Sequence, residues 1–266
     1  MSDFVALLAA GGVAGILAGL LGIGGGVLLV PVLLILLANS GVPDHVSMHV
    51  AVATSMATII FTAISSAWSH WRQQSVDTTI VKQWAPFVLI GALSGGLIAR
   101  YINGDALRAL FIVLALIIGI RFVLNSSNRN ERHIQLSRTQ QGATATTIGL
   151  LSAWLGIGGG SFSVPVIHAL GRTITTAVGT SATIGLCIAI PATTGFIIGG
   201  VNVAGRPPAS MGFVHLPSAV IIAICAMALA PVGASFAHRI NQHLLKRFFG
   251  IFLLIAAARM LQKLIT

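Results

Sequence analysis

A chain of 266 residues that is 56% apolar and only 8% charged, with a mean hydropathy of +0.96, cannot dress a water-facing surface; soluble domains carry about 25% charged residues. These values exclude a soluble enzyme, a nucleic-acid-binding protein and a secreted disulfide scaffold, and they define a polytopic membrane protein. The net charge of +10 then marks loops that face the cytoplasm and anionic lipid.

The first uncharged stretch runs from Phe4 to Pro43. Its opening residues, MSDFVALLAAGG, hold an acid and no Lys or Arg, which suits the start of a membrane segment better than a leader peptide. As one helix, residues 4–38 would measure about 52 Å, against a hydrocarbon core of about 30 Å. The break lies at Gly22-Ile-Gly-Gly-Gly26, with Pro31 beyond it. Contiguous glycines favour unwinding, and proline removes a further helix hydrogen bond. The pattern predicts two half-helices meeting at a glycine loop inside the membrane. Gly11, Gly15 and Gly19 form a small-xxx-small face for close helix crossing, within the chain or in a homo-oligomer.

Three further uncharged stretches follow, His45–Trp71, Gln83–Ala99 and Ala109–Ile120. The last lies between Arg108 and Arg121 and would give only about 18 Å of helix. It spans only if its flanking arginines snorkel to the headgroups. A polar segment at 125–141, with Arg129, Arg132 and Arg138, reads as a basic linker. Beyond it the pattern starts again, with uncharged stretches Thr139–Gly171, Thr173–Gly205, Pro207–His238 and Phe248–Ala258.

The halves correspond in detail. LGIGGGVLLVPV at 21–32 and LGIGGGSFSVPV at 155–166 agree at nine of twelve positions. Val52-Ala-Thr-Ser55 matches Val178-Gly-Thr-Ser181, Pro86 is paired with Pro217, Arg100 with Arg239, Arg108 with Lys246 and Arg121 with Arg259. The expected fold is therefore all-α and polytopic. It consists of an N-terminal membrane repeat (1–124), the linker (125–141) and a C-terminal membrane repeat (142–266). Each repeat has about four transmembrane segments, the first broken at its glycine loop near Pro31 or Pro165. Transporter precedent makes the repeats inverted, with the binding site where they meet. Counting alternate spans puts the larger share of Lys and Arg on the side of both termini and the linker, which makes the linker cytoplasmic and the membrane the bacterial inner one.

Chemistry points to an anion. Asp3, Asp44, Asp77, Asp105 and Glu131 all lie at the ends of apolar stretches or in polar ones, whereas cation pumps and proton-coupled carriers keep a carboxylate at membrane depth. Gly22, Gly24, Gly25 and Gly26, with Gly156, Gly158, Gly159 and Gly160, offer unshielded amides that a following helix dipole reinforces. Thr54, Ser55, Thr180 and Ser181 add hydroxyl donors without net charge. Ser161 and Ser163 replace Val27 and Leu29 in the second half only, which makes the site asymmetric. His49, five residues before Thr54, is the candidate proton or gating group. Arg172 either steers anions or is a plain loop charge. Trp68, Trp71, Trp84 and Trp154 read as interfacial or packing aromatics, and Cys187 and Cys225 as inert thiols. No metal site or cofactor is expected, since no His/Cys cluster has ligand spacing.

The duplicated LGIGGG-x3-VP signature, the Thr-Ser pair after it and the two-half layout resemble the TauE/SafE family of sulfite and organosulfonate exporters, over nearly the whole chain. The resemblance implies a secondary transporter of a small sulfur-containing oxyanion such as sulfite, sulfoacetate or another organosulfonate. Export by alternating access is the expected action, and the partners are that anion and membrane lipid. The alternatives are an importer on the same scaffold and a non-transporting membrane subunit; an intramembrane enzyme lacks its aspartate or serine–histidine signature.

Overall fold

The computed structural model describes residues 2–21, 26–124, 134–236 and 242–265; for 2–4, 17–21, 231, 233–236, 242–246, 249 and 265 the description is of backbone alone. The described residues form ten α-helices: α1 (Ser2–Leu21), α2 (Gly26–Asn39), α3 (Asp44–Arg72), α4 (Thr78–Ile98), α5 (Gly104–Leu124), α6 (Arg138–Leu155), α7 (Gly160–Ala169), α8 (Ile174–Gly199), α9 (Leu216–Phe236) and α10 (Gln242–Ile265). A small antiparallel hairpin, β1 (Ser210–Met211) and β2 (Val214–His215), lies between α8 and α9. Helices α3, α5 and α8, and α4 with its short extension to Tyr101, are long and apolar enough to cross a membrane; Val5–Ile16, Gly26–Asn39 and Leu216–Ala230 are shorter apolar helical stretches. The protein is an all-α, multi-pass membrane protein.

Helix starts explain where the carboxylates went. Asp44 opens α3, Asp105 lies in the first turn of α5, and Asp77 caps α4 by accepting from the amides of Thr79 and Ile80. Each sits at the positive end of a helix dipole. A capping box of Ser137 and Gln140 starts α6 at Arg138, so the linker expected through 141 has already become helix by 138. Its residues 125–133, with Arg129 and Arg132, lie outside the described residues.

Two sequence expectations are corrected. Helix α5 spans 21 residues because Arg108 is taken into the protein rather than snorkelling out of it. Arg108 is 4% exposed, and its guanidinium reaches Asp44 at 3.3 Å and Ser47 at 3.4 Å. Lys263 of α10 approaches the same Asp44 carboxylate at 2.9 Å. Pro86 and Pro217 are not equivalent: Pro86 is in the interior of α4, Pro217 in the first turn of α9.

Small residues bring the halves together. Helix α1 packs on α9, where a Cβ at Gly15 would stand 2.5 Å from the Ala226 carbonyl, and Gly11 is set against Ile222 and Cys225. Helix α4 packs on α6 in the same way, through Gly91 against Thr146, Gly149 against Val88, and Gly95 against Leu150 and Ala153. The Gly11/Gly15 face is thus used inside the chain; Gly19 lies where only backbone is described. Both crossings join one half to the other, and in both the contacting residue numbers rise together, so the helices run parallel. At the centre α3 lies against α8, and α3 is almost continuously buried from Val46 to Ile59.

The chain turns back after α6. Helix α6 has 18 residues, about 27 Å, yet the amide of Ile134, just before it, donates to the carbonyl of Ala169 at the end of α7 at 2.8 Å. Helix α7 therefore returns toward the side on which α6 began. The first unit of the second half is a hairpin of two helices, and not one span with a kink.

Candidate functional site

The two glycine segments meet. A Cβ at Gly26 would collide with the carbonyl oxygen of Gly156 and the side chain of Ile59. Ser55 on α3 fixes the junction, its hydroxyl donating to the Gly156 carbonyl at 2.8 Å and lying 3.2 Å from that of Gly26. Gly22, Gly24 and Gly25 fall outside the described residues. Gly26, at the start of α2, and Gly156, just after α6, are in direct contact.

The second loop can be followed atom by atom. Helix α6 ends at Gly156 with φ +64°, and the amides of Gly156 and Ile157 turn back to Ala153 and Ser152. A β-branched or bulky residue could not take that left-handed conformation without strain. Gly159 caps α7, which begins at Gly160, and its carbonyl accepts from Phe162 and Ser163. Pro165 lies inside α7, and Pro31 inside α2. Neither proline breaks its helix, although each stands past the first turn and so removes one helix hydrogen bond. The breaks belong to the glycines.

Among the described residues the amides of Gly158, Gly159, Gly160 and Ser161 have no hydrogen-bond acceptor. The hydroxyls of Ser161, Ser163 and Ser181 are buried without a partner. Ser163 and Ser181 are fully buried, and Ser163 Oγ lies 3.3 Å from where a Cβ of Gly159 would be. Orphan amides at a helix N-terminus and hydroxyls without a partner are groups that can donate hydrogen bonds.

Thr54 accepts from the amide of His215 at 3.0 Å, and Thr180 from that of Asp77 at 2.9 Å. Each threonine ties its own half to the segment that leads into the other half's α9 or α4, and these bonds leave its hydroxyl proton free to donate. His49 is buried away from the glycine loops. Its Nε2 donates to the carbonyls of Ala99 at 2.9 Å and Ile102 at 3.1 Å, and its ring stacks on Phe213 of the hairpin, centroids 4.9 Å apart. Its Nδ1 is buried without a hydrogen-bond partner. His215 bonds Ser218 through Nδ1 at 2.8 Å, and burial pushes its pKa below the ordinary imidazole value.

Arg172 is held 2.7 Å from Asp77, which excludes a free steering charge. Trp68 and Trp71 are exposed at the end of α3, with Arg72 over the Trp68 ring at 4.0 Å. Trp84 is buried and bonded to Gln141, and Trp154 donates to the Gly95 carbonyl.

Comparison with known proteins agrees with this architecture. The family model described as "Sulfite exporter TauE/SafE" matches residues 7–260. A "Probable membrane transporter protein" of Haemophilus influenzae is 32% identical over 264 residues, 99% of this chain and 100% of that one. The "Probable membrane transporter protein YdhB" of Bacillus subtilis is 28% identical over 253 residues, covering 93% of this chain and 95% of that one. A probable membrane transporter protein of Methanocaldococcus jannaschii is 27% identical over 249 residues, 88% and 86% of the two chains. No solved structure matches. With both glycine motifs inside the matched region, the protein belongs to the TauE/SafE family of membrane transporters.

Proposed function

We propose that the protein is a secondary transporter that moves a small sulfur-containing oxyanion, such as sulfite, sulfoacetate or another organosulfonate, outward across the bacterial inner membrane. The anion binds at the N-terminus of α7. The observation that carries this reading is the set of buried, unpartnered hydroxyls of Ser161, Ser163 and Ser181 beside amides that lack acceptors.

The geometry supports alternating access between inverted halves. Helix α6 enters from the side where α4 starts, since Trp84 meets Gln141, and α7 returns there. Helix α1 enters where α9 starts, on the face opposite the start of α4, and α2 leads back to the start of α3 on that same face. The two glycine hairpins thus enter from opposite faces and touch inside. Ion pairs tie the halves at both ends, Asp77 to Arg172 and Asp44 to Lys263, so rocking would break one while keeping the other. The basic linker stays cytoplasmic.

Export needs no coupled cation. With the inside negative, expelling one negative charge gains about 2.3 kcal/mol per 100 mV. Proteoliposomes loaded with sulfite and given a potassium diffusion potential are expected to lose sulfite faster when the interior is negative. Flux that ignores the sign of the potential would contradict potential-driven export.

A further inference from the structure

We propose that the anion site is one-sided: the second half alone binds, and Gly185 on α8 sets how bulky an anion it admits. This rests on the reading of the α7 N-terminus as an anion site. The argument comes from comparing the molecule with itself. The glycine motifs place Val27 opposite Ser161 and Leu29 opposite Ser163, and the Thr-Ser pairs place Ile59 opposite Gly185.

In the first half these positions are filled. Val27, Leu29 and Ile59 are 1%, 2% and 1% exposed, and the Ile59 side chain occupies the space a Cβ on Gly26 would need. In the second half the same positions carry two hydroxyls and no side chain at all.

Gly185 is not needed for close packing. The other buried glycines whose surroundings are described would each drive a Cβ to within about 3.2 Å of a neighbour, whereas among the described residues a Cβ at Gly185 would meet only the amide nitrogen of Gly159, at 3.7 Å. The notch it leaves is bounded by that amide, by Ser181 one turn earlier on the same face of α8, and by Ser163 across Gly159. Ile184 and Ile188, which also approach Gly159, give it an apolar wall. The cradle of amides and hydroxyls suits the oxyanion head, and the notch with its apolar wall suits one small substituent on that head. An isoleucine at 185 would rebuild the closed arrangement of the first half.

Isothermal titration of the full chain in lipid nanodiscs with sulfite, and separately with sulfoacetate, tests this. Wild type is expected to bind one anion per chain. Gly185→Ala, whose methyl would meet nothing closer than 3.7 Å among the described residues, should keep its melting temperature and lose about tenfold more affinity for the bulkier sulfoacetate than for sulfite, the range for one methylene-sized change in a pocket. Gly185→Ile should lose both anions, and Ile59→Ala neither. Two anions bound per chain, or a Gly185→Ala chain with unchanged affinity for both anions, would overturn the one-sided site. A wild-type chain that binds neither anion would overturn the anion reading itself, and this inference with it.

Discussion

Gly91→Val is expected to leave almost no folded protein. A Cβ at Gly91 would collide with the Thr146 carbonyl on α6, and backbone cannot yield as a flexible side chain can. Relief requires α4 and α6 to separate, which opens the neighbouring contacts at Gly95 and Gly149 and pulls apart the Trp84–Gln141 and Trp154–Gly95 hydrogen bonds. Overpacking is unfavourable by about 1–3 kcal/mol, and each lost hydrogen bond by about 1 kcal/mol. In lipid, helix association depends on such close packing, because burying apolar surface gains nothing there. The sum, about 3–5 kcal/mol, is comparable to the stability of an ordinary domain only at the low end of its range of about 5–15 kcal/mol. Size-exclusion profiles and thermal melts of the detergent-purified variant check this. A monodisperse Gly91→Val chain melting like wild type would show that the two halves are not joined at this crossing.

Ser161→Ala combined with Ser163→Ala is expected to move binding and stability in opposite directions. Both hydroxyls are buried without partners in the ligand-free chain, so deleting them removes a desolvation penalty of about 1–3 kcal/mol each. The melting temperature without ligand should rise by several degrees. Both hydroxyls would donate to a bound oxyanion, and a hydrogen bond to a charged group contributes about 1.5–3 kcal/mol, so sulfite affinity should fall by about a hundredfold or more. Titration and thermal melts of the same preparation read both effects. If the two serines only pack, the variant would keep its affinity.

The fold was legible where the sequence carried period and punctuation. The duplicated glycine motif located the turn between α6 and α7 and the residue at which α2 begins, and the carboxylates at Asp44, Asp77 and Asp105 marked the starts of α3, α4 and α5 or the caps before them. The fold-back of α7 was not legible, because a glycine run permits a kink and a reversal equally well; only the Ile134–Ala169 bond distinguishes them. Arg108 misled because a basic residue beside an apolar run ordinarily snorkels, and its partner Asp44 is distant in sequence.

The candidate site was partly legible. Thr54 and Ser55 stood out through repetition; Thr54, Thr180 and Ser55 make bonds between the halves, to His215, Asp77 and Gly156, while the hydroxyl of Ser181, the counterpart of Ser55, makes none. Ser161, Ser163 and Gly185, on which the proposed site depends, are positions where the halves differ. Gly185 escaped notice because one glycine in an apolar run looks like any packing glycine, until its first-half counterpart proves to be the buried Ile59.

Crystals of the full chain soaked in selenite, a heavier analogue of sulfite with a strong anomalous signal, place the anion directly. A single anomalous peak is expected between the N-terminus of α7 and α8, beside Ser163, Ser181 and Gly185. Occupied selenite peaks confined to other parts of the molecule, with none at that position, would contradict the proposed site.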